Sequence, residues 1–350
     1  MQRGFTVIEI LIITVIVAVV SSVAVVSAFR YKASQDLRLT LNELSALIRD
    51  VQRKSVTQED GKRWGVRFEN AQSGKDRMYI FKGTSFASGT VAQSLLLRRS
   101  AQFGEPGPSS TRDIVFLPIE GSISPNKVIT LTTGLADGLF GDIVVNLLGH
   151  VTTRTDTGIA GYWHFDEGTS TATYDASGKG NTGTFVGSPT WASGTNCKAG
   201  GCLALNGATS SVDIPDLSFS GDFTLMAWVK LSGSIAAADA IFGQEGTGQD
   251  VNFTSSRLRL YSPADGDVVI AGTPTALDAW THYAITRNGS ALALYYDGSQ
   301  NASGTWSGAF TPKAVGRGNA GYLEGFIDEV RLYERALSAA EIANIYNDLK

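Results

Sequence analysis

"RGFTVIEILIITVIVAVVSSVAVVSAF", residues 3–29, is almost wholly apolar and yet carries Glu9 near its start. Residues 10–29 hold no charge, and twenty helical residues at about 1.5 Å each reach roughly 30 Å, enough to cross a hydrocarbon core. A carboxylate at bilayer depth costs about 2.5–3.5 kcal/mol on insertion scales, so Glu9 requires a partner. A secretory signal would begin with several positive charges and end at a small-residue cleavage site after a shorter apolar run. Here "MQRG" is abrupt and the run is long. Arg3 on one flank and Arg30 and Lys32 on the other leave the orientation open.

Read outward from this segment, 350 residues suit an anchor and two domains, because single cores usually stop growing near 250–300 residues. A net charge of −4 gives no basic surplus, which excludes nucleic acid as a partner. The 39 glycines, 11 tyrosines and 6 tryptophans beside 18% charged residues point to a turn-rich β protein of the exported kind. Cys197 and Cys202 lie five apart in "NCKAGGCLAL". They read either as a small-loop disulfide or as two semi-buried thiols; zinc would need four ligands, and no His or further Cys lies nearby.

Gly4, Phe5 and Glu9 in "RG|FTVIE", opening a long apolar helix, resemble the processing site of type IV prepilins and of type II secretion pseudopilins. The resemblance implies cleavage after Gly4 by a prepilin peptidase in the inner membrane and N-methylation of Phe5. It also supplies the partner for Glu9: the terminal amine of a neighbouring pilin subunit, since opposite charges attract strongly where either alone is costly.

Beyond Phe29, Leu37, Leu41, Leu44, Leu47, Ile48 and Val51 recur at three and four residues, with charges between them and no Pro or Gly before Gly61. A helix from Phe5 to about Gln58 would be roughly 80 Å long. Its amphipathic half needs a cover. "WGVRFE" (64–69), "RMYIFKG" (77–83), "SLLLRRS" (94–100), "DIVFLP" (113–118), "VITLTT" (128–133) and "GDIVVNLLGHV" (141–151) read as short strands that supply it, predicting an α+β domain with a small antiparallel sheet. With "ELSALIRDVQRKSVTQEDGKRWGVRF" this arrangement is similar to the minor pilins and minor pseudopilins. His150 stands alone beside Gly149 and reads as a strand-end surface residue.

From about Ile159 the composition shifts to Gly, Ala, Thr and aromatics, and five of the six tryptophans follow. "FTLMAWVKL" alternates, and "HYAITRNGSALALYYDGSQ" places strands around Asn288-Gly289 and before Asp297-Gly298. Such strands over some 190 residues imply an all-β sandwich. "GYWHFDEGTSTATYDASGKGNTGTF", "GGCLALNGATSSVDIP", "DFTLMAWVKL" and "GFIDEVRLYERALSAAEIANIY" resemble the laminin-G-like, concanavalin A-like jelly-roll domains of bacterial surface proteins. The domain plan is thus a leader (1–4), a transmembrane and assembly helix (5–29), an α+β pilin-like domain (30–157) and a jelly roll (158–350). Ser338 and Glu341 form a capping box for a short last helix with Ile342 and Ile345 facing the sandwich.

In "DASGKGNTG", Asp175 and Asn181 offer the hard oxygens that calcium selects. The jelly-roll resemblance adds Asp328 from the last strand, giving a structural Ca2+ set; the alternative is a turn in which Asp175 and Asn181 cap backbone amides. Glycoside hydrolysis needs two carboxyl groups flanking the sugar. "EGFIDEVRLYE" lacks the family's alternating acids, and the adjacent Asp328 and Glu329 should face opposite sides of a strand. His164 and His282 read as sheet-face residues, without Ser or Cys nucleophile context. Tyr261, Trp306 and Tyr322 are loop-like aromatics that would stack on sugar rings unless they pack in the core or rim. Three Asn-x-Ser/Thr sites (Asn252, Asn288, Asn301) carry little weight in a bacterial-type protein.

Together these readings predict a non-enzymatic minor pilin or pseudopilin that starts in the membrane and ends on an extracellular filament, displaying a jelly roll for adhesion to glycans or proteins. A helix-anchored carbohydrate-active enzyme and a mere spacer within a secretion pseudopilus are the competing readings.

Overall fold

The computed structural model describes residues 7–350 apart from positions 72, 99, 134–138, 233–234, 236–238, 244–247, 255 and 320. Gly4 and Phe5, and the side chain of Glu9, lie outside the described residues. The first element, α1, spans Val7–Val56, 50 residues. Its far end is fixed by Gln58, Asp60 and Gly61, all with positive φ, which turn the chain back toward the first strand. The helix is long and apolar enough to cross a membrane, and its apolar window is unburied by the rest of the chain. From Ala33 onward one face is buried through Leu37, Leu41, Leu44, Ile48 and Val51, following the three-and-four spacing.

What covers that face is two four-stranded antiparallel sheets rather than one small sheet. In the first, Thr90–Leu96, Arg77–Lys82, Trp64–Glu69 and Thr111–Val115 lie side by side. In the second the order is Gln102–Glu105, Lys127–Thr132, Phe140–Val145 and Val151–Asp156. The chain passes to the second sheet at Gln102–Glu105, which pairs with Lys127–Thr132, and returns to the first at Thr111–Val115 before Lys127–Thr132. "SLLLRRS" is displaced N-terminally to Thr90–Leu96. "GDIVVNLLGHV" is not one strand but the arms and turn of a hairpin: the Asn146 side chain accepts from Leu148 and His150 N–H, and Gly149 takes positive φ. Trp64, Val66 and Phe68 from the first sheet and Ile129, Leu131, Ile143 and Val145 from the second share one core with α1.

The carboxy-terminal region is a sandwich of two antiparallel sheets. The front sheet orders Ala172–Thr173, Gly183–Val186, Ser211–Asp213, Ala314–Val315, Ala240–Gly243, Asp250–Thr254, Arg257–Ser262 and Gly266–Ile270. The back sheet orders Thr190–Ser193, Gly201–Asn206, Glu324–Tyr333, Phe223–Leu231, Trp280–Asn288, Ala291–Tyr296 and Ser299–Thr305, with Ile159–Trp163 also paired to Glu324–Tyr333. Alternate residues of both sheets, among them Leu225, Val229, Phe253, Leu260, Ile285 and Val330, fill the space between them. Cys197 and Cys202 are joined, with S–S 2.09 Å and Cα atoms 5.3 Å apart. The last helix, α2, spans Ala339–Leu349 and starts at the Ser338/Glu341 capping box. Its Ile342 and Ile345 pack on Met226, Ala284 and Tyr333 on the outer face of the back sheet.

The register of α1 makes a direct test. Leu44 is fully buried whereas Leu39 is 49% exposed. Leu44→Ala should cost about 2–5 kcal/mol of stability and Leu39→Ala under about 0.5 kcal/mol, measured by urea unfolding of the detergent-solubilised chain. Equal effects would refute this helix register.

Candidate functional site: one sealed and one open face of the sandwich

A sandwich has two outer faces, and the distribution of cover decides which can meet a ligand. The strands Lys127–Thr132 and Phe140–Val145 are buried on both sides. Ile129, Leu131, Ile143 and Val145 point to α1, while Val128, Thr130, Phe140, Asp142 and Val144 point to the back sheet. Between the second sheet and the back sheet lies a buried cluster of charges. Glu329 accepts from His164 Nδ1 at 2.7 Å, from Arg331 Nη2 at 2.9 Å and from the Tyr162 hydroxyl. Asp142 accepts from Thr130 Oγ1 at 2.6 Å and pairs with Arg154, which reaches Asp348 of α2 at 2.7 Å.

Because Thr130 gives its one hydroxyl proton to Asp142, its oxygen is left to accept from His164 Nε2, 2.9 Å away. Both ring nitrogens of His164 therefore donate, and the ring is a cation. Burial opposes that charge, yet the Glu329 carboxylate outweighs burial and lifts His164 to about 9. The same pair, against the opposing effect of burial, holds Glu329 well below the ordinary range. Three acids, Asp142, Glu329 and Asp348, face three bases, Arg154, His164 and Arg331. Nearby, Arg112 joins Glu105 of the second sheet to Asp166 of the sandwich at 2.8 Å.

One expectation is corrected here, and one is made more definite. His164 and His282 lie on a sheet face, and that face is covered. Burial lowers His282 to about 3, so it is neutral. Asp328 and Glu329 do not face opposite sides. Trp228 pairs with Asp328 and Met226 with Arg331, so Glu329 and Val330 stand against Ala227 alone, in a bulge where Glu329 takes φ 52°. The bulge resets the alternation and puts both acids under the cover.

The expected calcium donors are not gathered. The Asp175 carboxylate accepts three backbone N–H groups, from Tyr162, Ser177 and Asn181, each at 2.9 Å. Asn181 donates its side-chain amide to Ala160 O at 2.7 Å. Asp328 turns instead to the N–H groups of Lys198 and Ala199, at 3.0 and 2.9 Å. Burial, then the Glu329 charge, pushes Asp328 well above the usual carboxylate range. Backbone N–H dipoles aimed at both the Asp175 and the Asp328 carboxyl groups oppose a cation, so Asp175, Asn181 and Asp328 do not fit Ca2+. Among the described residues, no three His, Cys, Asp or Glu gather as metal ligands.

The front sheet is different. Asp250 pairs with Tyr261 and Asn252 with Arg259, and opposite partners share a face. Since Val251, Phe253, Leu258 and Leu260 fill the core, these four point outward. Asp250 and Asn252 are only 2% exposed; Asp250 receives the Asn319 N–H on both oxygens at 3.1 Å. Arg259 links the row, donating to Asn252 at 2.8 Å and to Asp267, with its guanidinium 4.7 Å from the Tyr261 ring centroid. Arg317 and Asp213 pair at 2.9 Å on the same sheet. Arg259 and Tyr261 stay half-buried above a fixed polar floor. Of the aromatics read from sequence, Tyr261 is here, Tyr322 is half-buried opposite Arg317, and Trp306 is buried with its indole N–H on Asp265 at 2.9 Å. Sequence reading missed the outward polar row of Asn252 and Arg259, although "DVNFTSSRLRLYS" alternates polar and apolar residues on both arms.

Residues 206–343 match the model of a family described as the concanavalin A-like lectin/glucanases superfamily. The carboxy-terminal domain is laminin-G-like. No curated protein matches the chain. Among solved structures it is similar to domain 4 of an extracellular GH43 arabinanase from Geobacillus stearothermophilus in complex with arabinotriose, at 22% identity over 54% of this chain and 98% of that one, TM-score 0.46. It is also similar to the binding domain of Paraclostridial Mosquitocidal Protein 1, at 16% identity, 54% and 52% coverage and TM-score 0.44. A third is the receptor-binding domain of a botulinum neurotoxin C/D mosaic serotype, at 13% identity, 54% and 51% coverage and TM-score 0.42. The chain spans about half the length of the two toxin domains.

The seam has a pH signature. With His164 raised from 6.5 to about 9, its contribution is complete below pH 6.5 and is lost as pH rises through 9; the shift is worth on the order of 3 kcal/mol. Asp166, raised by burial to about 6 against the pull of Arg112, prefers its neutral form, so its ionisation also lowers stability as pH rises from about 4 to 6. Urea unfolding should show falling stability from pH 6.5 to 9 in the native chain. Glu329→Gln should lower stability by about 3–5 kcal/mol at pH 7 and abolish that slope; a retained slope would refute the pairing. Calcium chelation should leave the melting temperature unchanged, and a rise on adding Ca2+ would contradict the donor geometry.

Proposed function

We propose that this chain is a minor pilin or pseudopilin of a type IV pilus- or type II secretion-like filament, processed between Gly4 and Phe5, whose laminin-G-like domain binds a glycan or protein ligand. The observation that carries the proposal is the asymmetry of cover. One outer face of the sandwich is sealed against the body that carries α1, and on the other Arg259 and Tyr261 stand half-buried over the buried Asp250 and Asn252. A long apolar helix at one end and a fixed polar face at the other suit a subunit that is held in an assembly and displays a binding surface.

A guanidinium held by Asn252 and Asp267 beside a tyrosine is chemistry that hydroxyl-rich or polar peptide ligands match, through hydrogen bonds and stacking. Balanced charge on the row suits neutral glycans better than strongly anionic ones. What supports binding over hydrolysis is that Asp328 and Glu329 are enclosed beneath the second sheet, where no sugar reaches them. Glu9 then serves assembly, neutralising the amine of Phe5 on a neighbouring subunit.

Mass spectrometry of the native membrane fraction should find residues 1–4 removed and one methyl added. A chain retaining Met1 in cells that possess the peptidase would count against the pilin reading. On a glycan array, Tyr261→Ala should weaken binding about tenfold, ~1.4 kcal/mol, at unchanged melting temperature, and Arg259→Ala as much with a lowered melting temperature, because buried Asn252 loses its donor. Unaltered binding in both variants would move the ligand off this face.

A further inference from the structure

At the end of α1 farthest from its apolar half, two turns lie side by side. Gly121 carbonyl accepts from Gln52 Nε2 at 3.0 Å, and Gly149 packs against both Gly121 and Gln52. The Ile123 N–H donates to Leu147 O at 3.1 Å, tying the turns together. They present Leu117, Ile119, Leu147 and Leu148 to solvent beside Val56, with Ile119 70% and Leu148 67% exposed. Ile119 also has φ 68°, a conformation that β-branched residues rarely adopt. The second turn is held rigid by the Asn146 side chain and by Asn126, which accepts the Leu147 N–H at 2.7 Å. Nothing in the sandwich, the seam or the open face uses these side chains. Strain and large apolar exposure together mark a contact surface.

A bilayer is a poor occupant. The patch borders residue 56, and 27 helical residues separate it from Phe29, roughly 40 Å at about 1.5 Å each, so it stands clear of any membrane that α1 enters. The chain itself offers a complementary surface at that distance. Val25, Val26, Phe29 and Tyr31 are all exposed, Phe29 and Tyr31 at 68%, with no cover from their own chain. Because patch and complement lie at opposite ends of one body, their contact is head-to-tail, and a head-to-tail contact that does not close repeats as an open stack.

We propose that the Ile119–Leu148 patch of one copy docks on the Phe29–Tyr31 segment of α1 in a second copy, displaced along the helix by about the length of the α1 stretch between them, roughly 40 Å. This rests on the filament reading and specifies one axial contact within it. The contact buries two apolar surfaces that are otherwise wet at both ends of the subunit, once the helix has left the membrane.

The test is thiol cross-linking of the full chain with a short bismaleimide in whole cells, where copies that have left the membrane can shift along the helix axis. The double variant Tyr31→Cys/Ile119→Cys should give a ladder of dimers, trimers and larger species, and so should Tyr31→Cys/Leu148→Cys should Cys at 119 perturb its turn. Each single variant should give none. Leu147→Asp in the double-cysteine background should reduce the ladder at least fivefold at unchanged melting temperature. A monomeric double variant with native melting temperature overturns the proposal. Dimers from Ile119→Cys alone, which would mean patch against patch, overturn it as well. The N-terminal mass is read on the same cells: an unprocessed terminus with a ladder removes the pilin reading and keeps this contact, whereas a processed, methylated terminus without a ladder removes this contact alone.

Discussion

Burying the Glu329 carboxylate beneath a second sheet would on its own cost several kcal/mol, and the way this cost is offset organises the molecule. His164, Arg331 and Tyr162 converge on it from the sandwich. Asp142, Thr130 and Arg154 complete the network from the second sheet, and Asp348 from α2. The network therefore requires three parts of the chain at once. Remove one partner and a charge is stranded in a dry seam, so the second sheet and the sandwich resist separation for electrostatic as well as apolar reasons. Flanking contacts do the apolar part: Phe140 stands edge-on to Tyr162 at 5.9 Å, and Trp228 stacks on Tyr346 at 5.5 Å with the Lys198 ammonium 4.0 Å from its ring.

That seam also decides where function can lie. With the back sheet enclosed, a ligand for the sandwich must use the front sheet or the loops at its rim. The back sheet retains a groove of about 460 Å³ beside the start of α2, lined by Thr286, Ala291, Tyr295 and Leu337. Its charged neighbour Glu341 is occupied by the Ser338 cap and by Arg335. The front face instead places a guanidinium and a phenol above a floor whose polar atoms are fixed by neighbours. Fixed polar groups lose little freedom when a ligand arrives, which is the condition for useful affinity from few contacts.

How much of this the sequence disclosed follows from which signals are local. The helix was legible because apolar spacing is local: Leu37, Leu41, Leu44, Ile48 and Val51 are the residues that are buried. The capping box at Ser338 and Glu341 is local too, and so is the sandwich alternation in Phe223–Leu231. The seam was not legible. In "GDIVVNLL", Asp142 reads as one more polar position of a short strand, whereas it is fully buried because the back sheet of the sandwich lies over it. His164 and Glu329, 165 positions apart, meet only in the fold. The Asp328-Glu329 pair misled for a specific reason: alternation assumes an unbroken strand, and a bulge opposite Ala227 breaks it. Asp175 was read as a calcium donor with an amide-capping turn as the alternative, and which N–H groups it accepts from follows only from the geometry.

The rigid seam has a mechanical consequence for a protein anchored by one end. Load applied to the front face passes across the sandwich core into the back sheet, then through Glu329 and Asp142 into the strands Lys127–Thr132 and Phe140–Val145, whose other sides rest on α1. No flexible linker intervenes: the second sheet ends at Asp156 and the first sandwich strand begins at Ile159. Gly158 between them is held against Arg335, which is itself bound to Asp156 and Glu341. A short, braced connection keeps the orientation of the open face fixed relative to the helix axis. A tethered domain would sample many orientations and lose that relation to the entropy of its linker. The covered back sheet is thus part of how the front sheet is aimed.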